Sequence, residues 1–205
     1  MAAPVPFALR RLWMSVALLL PVLLTVGCGP SVPKFQASDV SGTGYGREFQ
    51  LTDHTGKPRT LADFRGKVVV LFFGYTQCPD VCPTTLSELA EVSKRLGADA
   101  ERMQVLFVTV DPERDTPDLL ARYVPAFDRS FLGLYGDAEA TARTAKEFKI
   151  LYQKQPGQTP DSYTMDHSAG TFVFDPEGRL RLYVSNGQGP DVFEHDIREL
   201  LRMSG

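Results

Sequence analysis

Lys67-Val68-Val69-Val70-Leu71-Phe72-Phe73-Gly74-Tyr75-Thr76-Gln77-Cys78-Pro79-Asp80-Val81-Cys82-Pro83 decides the fold. The unbroken apolar run after Lys67 predicts a strand buried on both faces, as a parallel or mixed sheet requires. Gly74 ends it. Pro83 suits a first helical turn, and Leu86, Leu89, Ala90 and Leu96 place an apolar stripe on a helix that Gly97 stops. Two cysteines therefore sit where a core strand hands over to a helix.

Downstream, Val105 to Val110 predicts a second buried strand, and Thr116-Pro117 a cap and first turn of another helix. A further helix is expected from Ala138 to Phe148. Gly170 to Phe174 and Leu180 to Val184 flank the turn Asp175-Pro176-Glu177-Gly178, a hairpin signal, and a closing helix is expected from Pro190 to about Arg202. Upstream, Phe49 to Thr52 and Arg59 to Leu61 flank turn residues and predict another hairpin. The order predicts an α/β, thioredoxin-like three-layer sandwich with an added N-terminal β-hairpin. The polar stretch from Gln153 to Ser168, with Pro156, Gly157 and Pro160, is expected to be a long functional loop.

The amino end sets the compartment. Arg10 and Arg11 precede an uncharged apolar run to Gly27, followed by Cys28, which is the layout of an export signal. At about 16 residues, the run is short of the roughly 20 that cross a bilayer core. Leu24-Thr25-Val26-Gly27-Cys28 resembles a lipobox, with Thr25 where a Leu is usual. Lipidation of Cys28 and an uncleaved anchor both remain open; either tethers the protein. The expected organisation is a lipoprotein-type export signal at 1–27, a linker at 28–45 and one domain at 46–205. The formal net charge of −3 becomes −5 once Arg10 and Arg11 leave with the signal. No downstream Lys/Arg cluster suggests nucleic acid as a partner.

Of three cysteines, lipidation would account for Cys28. Cys78 and Cys82 remain as a close pair in a compartment where disulfides persist. A helix amino terminus favours thiolates. The i, i+4 spacing on a helical turn would put the Cα atoms about 6 Å apart, within disulfide reach. Reduced, two convergent thiolates select cuprous copper or zinc over harder ions. A purely structural staple is disfavoured, because so short a loop removes little entropy from the unfolded chain.

Gly74 to Pro83 resembles the signature of the Sco/SenC family. Val110-Asp111-Pro112-Glu113-Arg114-Asp115-Thr116-Pro117 resembles that family's Asp-containing loop, and Asp166-His167-Ser168 the segment carrying its copper-binding histidine. The resemblance extends from about residue 46 to 203. It implies a thioredoxin fold that binds one copper ion, Cu(I) or Cu(II), through Cys78, Cys82 and His167. It also implies a metallochaperone serving the dinuclear copper centre of cytochrome c oxidase. The expected partners are the oxidase subunit holding that centre, a copper donor protein and the membrane. A monomer is expected, with its domain on the periplasmic or extracytoplasmic side.

Other residues carry competing readings. Asp166 either supports His167 or is a solvated turn carboxylate, and Met165 fills core by default. His54 and His195 are expected at the solvated surface. Asp111 either supports the copper loop or receives a partner protein, or else is a loop cap or salt-bridge partner. Asp80, between the cysteines, either modulates thiolate charge or points to water. The alternative function is a thiol-disulfide oxidoreductase that uses the redox pair Cys78 and Cys82 to reduce target cysteines before metal insertion. That chemistry does not need His167.

Overall fold

The computed structural model describes residues 33–159 and 162–204. The export signal and Cys28 lie outside them. Among the described residues no helix is long and apolar enough to cross a membrane.

The strand expected at the cysteine motif is β4 (Val68–Gly74), and it is buried at every position. It lies inside an eight-stranded sheet of order β1-β10-β9-β4-β5-β6-β2-β3. The others are β1 (Ser38–Asp39), β2 (Gln50–Asp53), β3 (Pro58–Thr60), β5 (Met103–Thr109), β6 (Leu132–Tyr135), β9 (Thr171–Phe174) and β10 (Leu180–Val184). β4 pairs in parallel with β5, and β5 with β6. On its other side β4 pairs antiparallel with β9. The predicted hairpins form as β2–β3 and β9–β10.

Burial on both faces follows from two cores. Val68, Val70 and Phe72 face one, built with Leu86, Leu89 and Val92 of α1 (Val81–Leu96) and Ile197 and Leu200 of α4 (Pro190–Met203). Val69, Leu71 and Phe73 face the other, with Phe148, Ala145 and Phe172. This is why the run shows no alternation: both alternate sets are apolar. Phe73, Phe148 and Phe172 meet edge to face, with centroids 5.3 to 6.3 Å apart.

The helices start and stop where their caps dictate. Thr116 accepts from Leu119 N–H at 3.3 Å to open α2 (Pro117–Tyr123), and Asp137 accepts from Ala140 N–H at 2.7 Å to open α3 (Ala138–Glu147). Gly97 ends α1 at φ 62°, a left-handed conformation that glycine adopts without a Cβ clash.

Three stretches depart from the sequence expectation. β1 forms at Ser38–Asp39, in the stretch expected as a linker, and pairs antiparallel with β10. β6, with Gly133 in its centre, carries too short an apolar run to stand out. The stretch expected as a long loop forms a two-stranded hairpin, β7 (Tyr152–Pro156) and β8 (Tyr163–His167), separate from the main sheet. Its physical basis is a period-two pattern, Tyr163, Met165, His167 turned inward against exposed Thr164 and Asp166.

Candidate metal centre

β4 ends at Gly74 with no room for a side chain. A Cβ there would lie 2.7 Å from Cys82 Sγ and 2.8 Å from the Phe107 ring, so only glycine lets the sulfur close over the strand end. Cys82 is the second residue of α1 and is fully buried. Cys78 lies in the preceding turn, where its N–H donates to Tyr75 O at 3.2 Å, and is half-buried. The i, i+4 pair is thus brought together by a turn entering a helix, not by one helical face. Both thiols are free.

Burial, the largest influence, pushes the Cys82 thiol up; nearby Cys78 and Asp115 push the same way against a backbone hydrogen bond from Tyr75. At Cys82 desolvation thus works against the thiolate that a helix terminus favours.

His167 reaches the cysteines through sheet register. Thr171 of β9 pairs with Phe72 of β4, so the chain just before β9 emerges beside the end of β4. There His167 Nε2 lies 3.7 Å from Cys82 Sγ. His167 Nδ1 is 3.0 Å from Ser168 O. A carbonyl only accepts, so Nδ1 carries the proton and Nε2 presents a lone pair towards the sulfur. The ring meets Tyr75 edge to face at 5.9 Å.

The donor atoms of Cys78, Cys82 and His167 all lie within 4.8 Å of one another. With bonds of about 2.3 Å to sulfur and about 2.0 Å to nitrogen, a planar three-coordinate ion would space its S and N donors about 3.7 Å apart. The observed separation fits. Two sulfurs and an imidazole form a soft donor set, suited to copper or zinc and not to hard ions.

The neighbouring acids separate into distinct roles. Asp115, which the sequence reading quoted without assigning, is buried and clamps the cysteine loop. It accepts from Thr76 N–H at 3.0 Å, Thr76 Oγ1 at 2.6 Å and Thr109 Oγ1 at 2.6 Å. Burial raises its pKa against those hydrogen bonds. Asp111 is buried and accepts from Arg114 Nε and, at 2.9 Å, from Tyr163 Oη, which makes it a salt-bridge partner of Arg114. Asp166 is exposed and accepts from Gln155 Nε2 at 2.9 Å, so it does not orient His167. Asp80 is exposed and caps nothing with its side chain. Met165 is core.

His54 is not a surface histidine. Its Nδ1 accepts from Gly133 N–H at 3.0 Å and its N–H donates to Gly133 O at 2.8 Å, tying the β2–β3 turn to β6. His195 Nδ1 lies 2.8 Å from the buried Asp196 carboxylate. The signal for Arg114 and Asp115 was present in the sequence: charged residues directly following a buried strand have to find partners.

The SCO1/SenC family model matches residues 38–202. The chain belongs to this family. Among SCO1/SenC relatives, the bovine mitochondrial SCO2 homolog is 39% identical over 153 residues, covering 74% of this chain and 58% of its own length. This chain thus spans under three fifths of that relative. The structure of Bradyrhizobium japonicum ScoI with copper bound is 39% identical, covers 77% of this chain and 99% of its own, and superposes with a TM-score of 0.70. Apo Sco1 from Thermus thermophilus is 42% identical, covers 83% and 99%, and gives a TM-score of 0.74. The thioredoxin-like architecture expected from the element order is that of these SCO1/SenC structures.

Proposed function

We propose that this protein binds one copper ion, as Cu(I) or Cu(II), at Cys78, Cys82 and His167 and delivers it to the dinuclear copper centre of cytochrome c oxidase. The observation that carries the reading is the convergence of two sulfurs and one imidazole nitrogen within 4.8 Å. Support comes from a SCO1/SenC relative whose structure contains copper and from the sequence resemblance described above.

The residues divide the work of holding a cargo ion. Cys82 sits in the protein interior with its thiol pushed up by burial, so capture of the cation displaces its proton. His167 supplies a ring nitrogen whose direction Ser168 O fixes. Cys78, half-buried, forms the open side, where ligands of a donor or recipient protein exchange for those of this one. We place the protein at a membrane, domain outside the cytoplasm, with residues 1–27 as its export signal and Cys28 as its lipid anchor. Intact-mass measurement of membrane-purified protein separates an acylated chain beginning at Cys28 from an uncleaved one.

A second reading rests on the same free thiols: a thiol-disulfide oxidoreductase attacking a target disulfide through the more accessible Cys78. Anaerobic titration of the reduced full chain with cuprous and cupric ion separates the two. The copper reading expects one equivalent bound, most affinity lost in Cys78→Ser or Cys82→Ser, and weakened cupric binding in His167→Ala with thiol exchange unchanged. Full copper affinity and normal oxidase assembly in His167→Ala would give the lead to the reductase.

A further inference from the structure

Arg114 touches each segment that builds the Cys–His group. Its Nε donates to Asp111 Oδ2, and its Nη1 donates to Gln77 Oε1 in the cysteine loop at 3.2 Å and to Tyr163 O at the start of β8 at 2.9 Å. The guanidinium lies 3.5 Å from the Tyr163 ring centroid and 5.7 Å from that of Tyr75, the ring that meets His167. Tyr163 Oη closes the circuit by donating to Asp111 Oδ1 at 2.9 Å. Asp111 is buried and the Arg114 side chain is 19% exposed, so the contacts to Asp111 are partly shielded from water and count for more than surface pairs, whereas the bond to Gln77 is exposed.

The hairpin that carries His167 needs such a hold. β7 and β8 pair only with each other among the described residues, and an isolated two-stranded hairpin is marginal in water. Met165 anchors it by burial. Apolar burial is non-directional; a planar fork bonded at both edges and stacked on a ring fixes position as well as attachment. One guanidinium nitrogen, Nη2, is buried without a partner among the described residues. Opening the hairpin would return that N–H to water, so the closed arrangement is not held beyond reach of opening.

We propose that Arg114, Asp111 and Tyr163 form a latch that positions His167 against the cysteine pair and thereby sets the site's preference between cupric and cuprous ion. The inference rests on the copper reading above. Two thiolates alone suit soft cuprous ion, whereas cupric ion favours the imidazole nitrogen. A loosened hairpin removes the nitrogen and leaves the sulfurs, which Asp115 holds through Thr76 and α1 through Cys82, with the single Arg114–Gln77 bond as the latch's link to the cysteine loop. Arg114, Asp111 and Tyr163 act through His167 and are positioning residues.

The test compares the full chain with Arg114→Gln, Arg114→Lys and Tyr163→Phe. Tyr163→Phe deletes one hydrogen bond while keeping the ring, so it serves if the arginine variants fold poorly. Cupric and cuprous affinities, the thiolate-to-cupric absorption band and amide exchange across residues 152–167 are measured together. Arg114→Gln should lose about tenfold or more in cupric affinity, the scale of a hydrogen bond to a charged group, with cuprous affinity held within about threefold. Its absorption band should shift and its hairpin amides should exchange faster, and Arg114→Lys should recover part of each because it keeps the charge without the fork. Equal losses of both affinities would reduce the latch to a structural brace, and unchanged affinities with faster exchange would show that His167 is held by something else. Wild-type protein that binds neither ion would sink the copper reading itself and the preference with it.

Discussion

Replacing Gly74 by alanine tests whether the end of β4 was shaped around a sulfur. The added Cβ would lie 2.7 Å from Cys82 Sγ, 2.8 Å from Phe107 Cε2 and 3.2 Å from Phe72 Cε2. Ordinary contact at this kind of site begins at 3.4 Å, so the sulfur has to retreat by about 0.7 Å or the strand has to bend. Cys82 and Phe107 are both fully buried, which leaves little space to absorb the change. Overpacking of this kind costs about 1–3 kcal/mol. For a domain of this size that lowers Tm by about 2–12 °C. The same displacement exceeds the roughly 0.2 Å tolerance of metal–ligand bonds, so copper affinity should fall by about tenfold or more. Gly133→Ala is the control: its Cβ meets Val124 and Leu120 side chains at 3.1 and 3.2 Å and no sulfur is among its three nearest atoms, so it should cost stability without affinity. Calorimetry and competitive cuprous titration read the two quantities. If Gly74→Ala loses no more affinity than Gly133→Ala at matched stability, the close approach does not position Cys82 and the argument for Gly74 fails.

Asp115→Ala should cost at least about 2 kcal/mol, because it strands the Thr76 N–H and two hydroxyls in the interior; hydrogen exchange should show faster opening at residues 75–78, and protection there at wild-type level would refute the clamp. Mild oxidation should remove two titratable thiols without dimerisation, through a Cys78–Cys82 disulfide, and abolish cuprous binding until reductant is added; binding by the oxidised form would exclude the cysteines as ligands. Asp53 supplies a pH test. Burial raises its pKa, but hydrogen bonds from Thr55, Arg59 and Lys57 outweigh this and hold it at about 2, below its ordinary 3.8. A depressed folded pKa gives stability that is present above pH 4 and lost as pH falls towards 2, worth about 2 kcal/mol. Asp53→Asn should flatten urea-unfolding stability across that window, and an unchanged slope would contradict the assignment.

Local patterns in the chain determined a good deal. Val68 to Phe73 are apolar at every position and Val105 to Val110 at every position but Thr109, a pattern of strands covered on both faces, and Thr116-Pro117, Asp137 and Gly97 mark helix ends through their own side chains or backbone freedom. The cysteine pair was legible for the same reason: its setting, the end of a core strand entering a helix, is contiguous in sequence. His167 was legible as a ligand only by resemblance to a family, since a lone histidine in a polar stretch has no periodicity that points at a sulfur 85 residues away. The hairpin around it passed for a loop because the inward residues, Tyr163, Met165 and His167, are not the aliphatic set that usually marks a strand.

The tertiary structure decided the rest, because each remaining feature depends on what lies across a strand pair or beneath a helix. Pairing of β9 with β4 delivers His167 to the cysteines. Enclosure by the core raises the Cys82 thiol although its place in the helix would lower it. Asp111 and Asp115, close in sequence, part company: one turns to the hairpin through Arg114 and Tyr163, the other to the cysteine loop through Thr76. Sequence spacing specifies which side chains share a face of one element, whereas charge, burial and ligand geometry at this site arise between elements and exist only once the sheet has set their register.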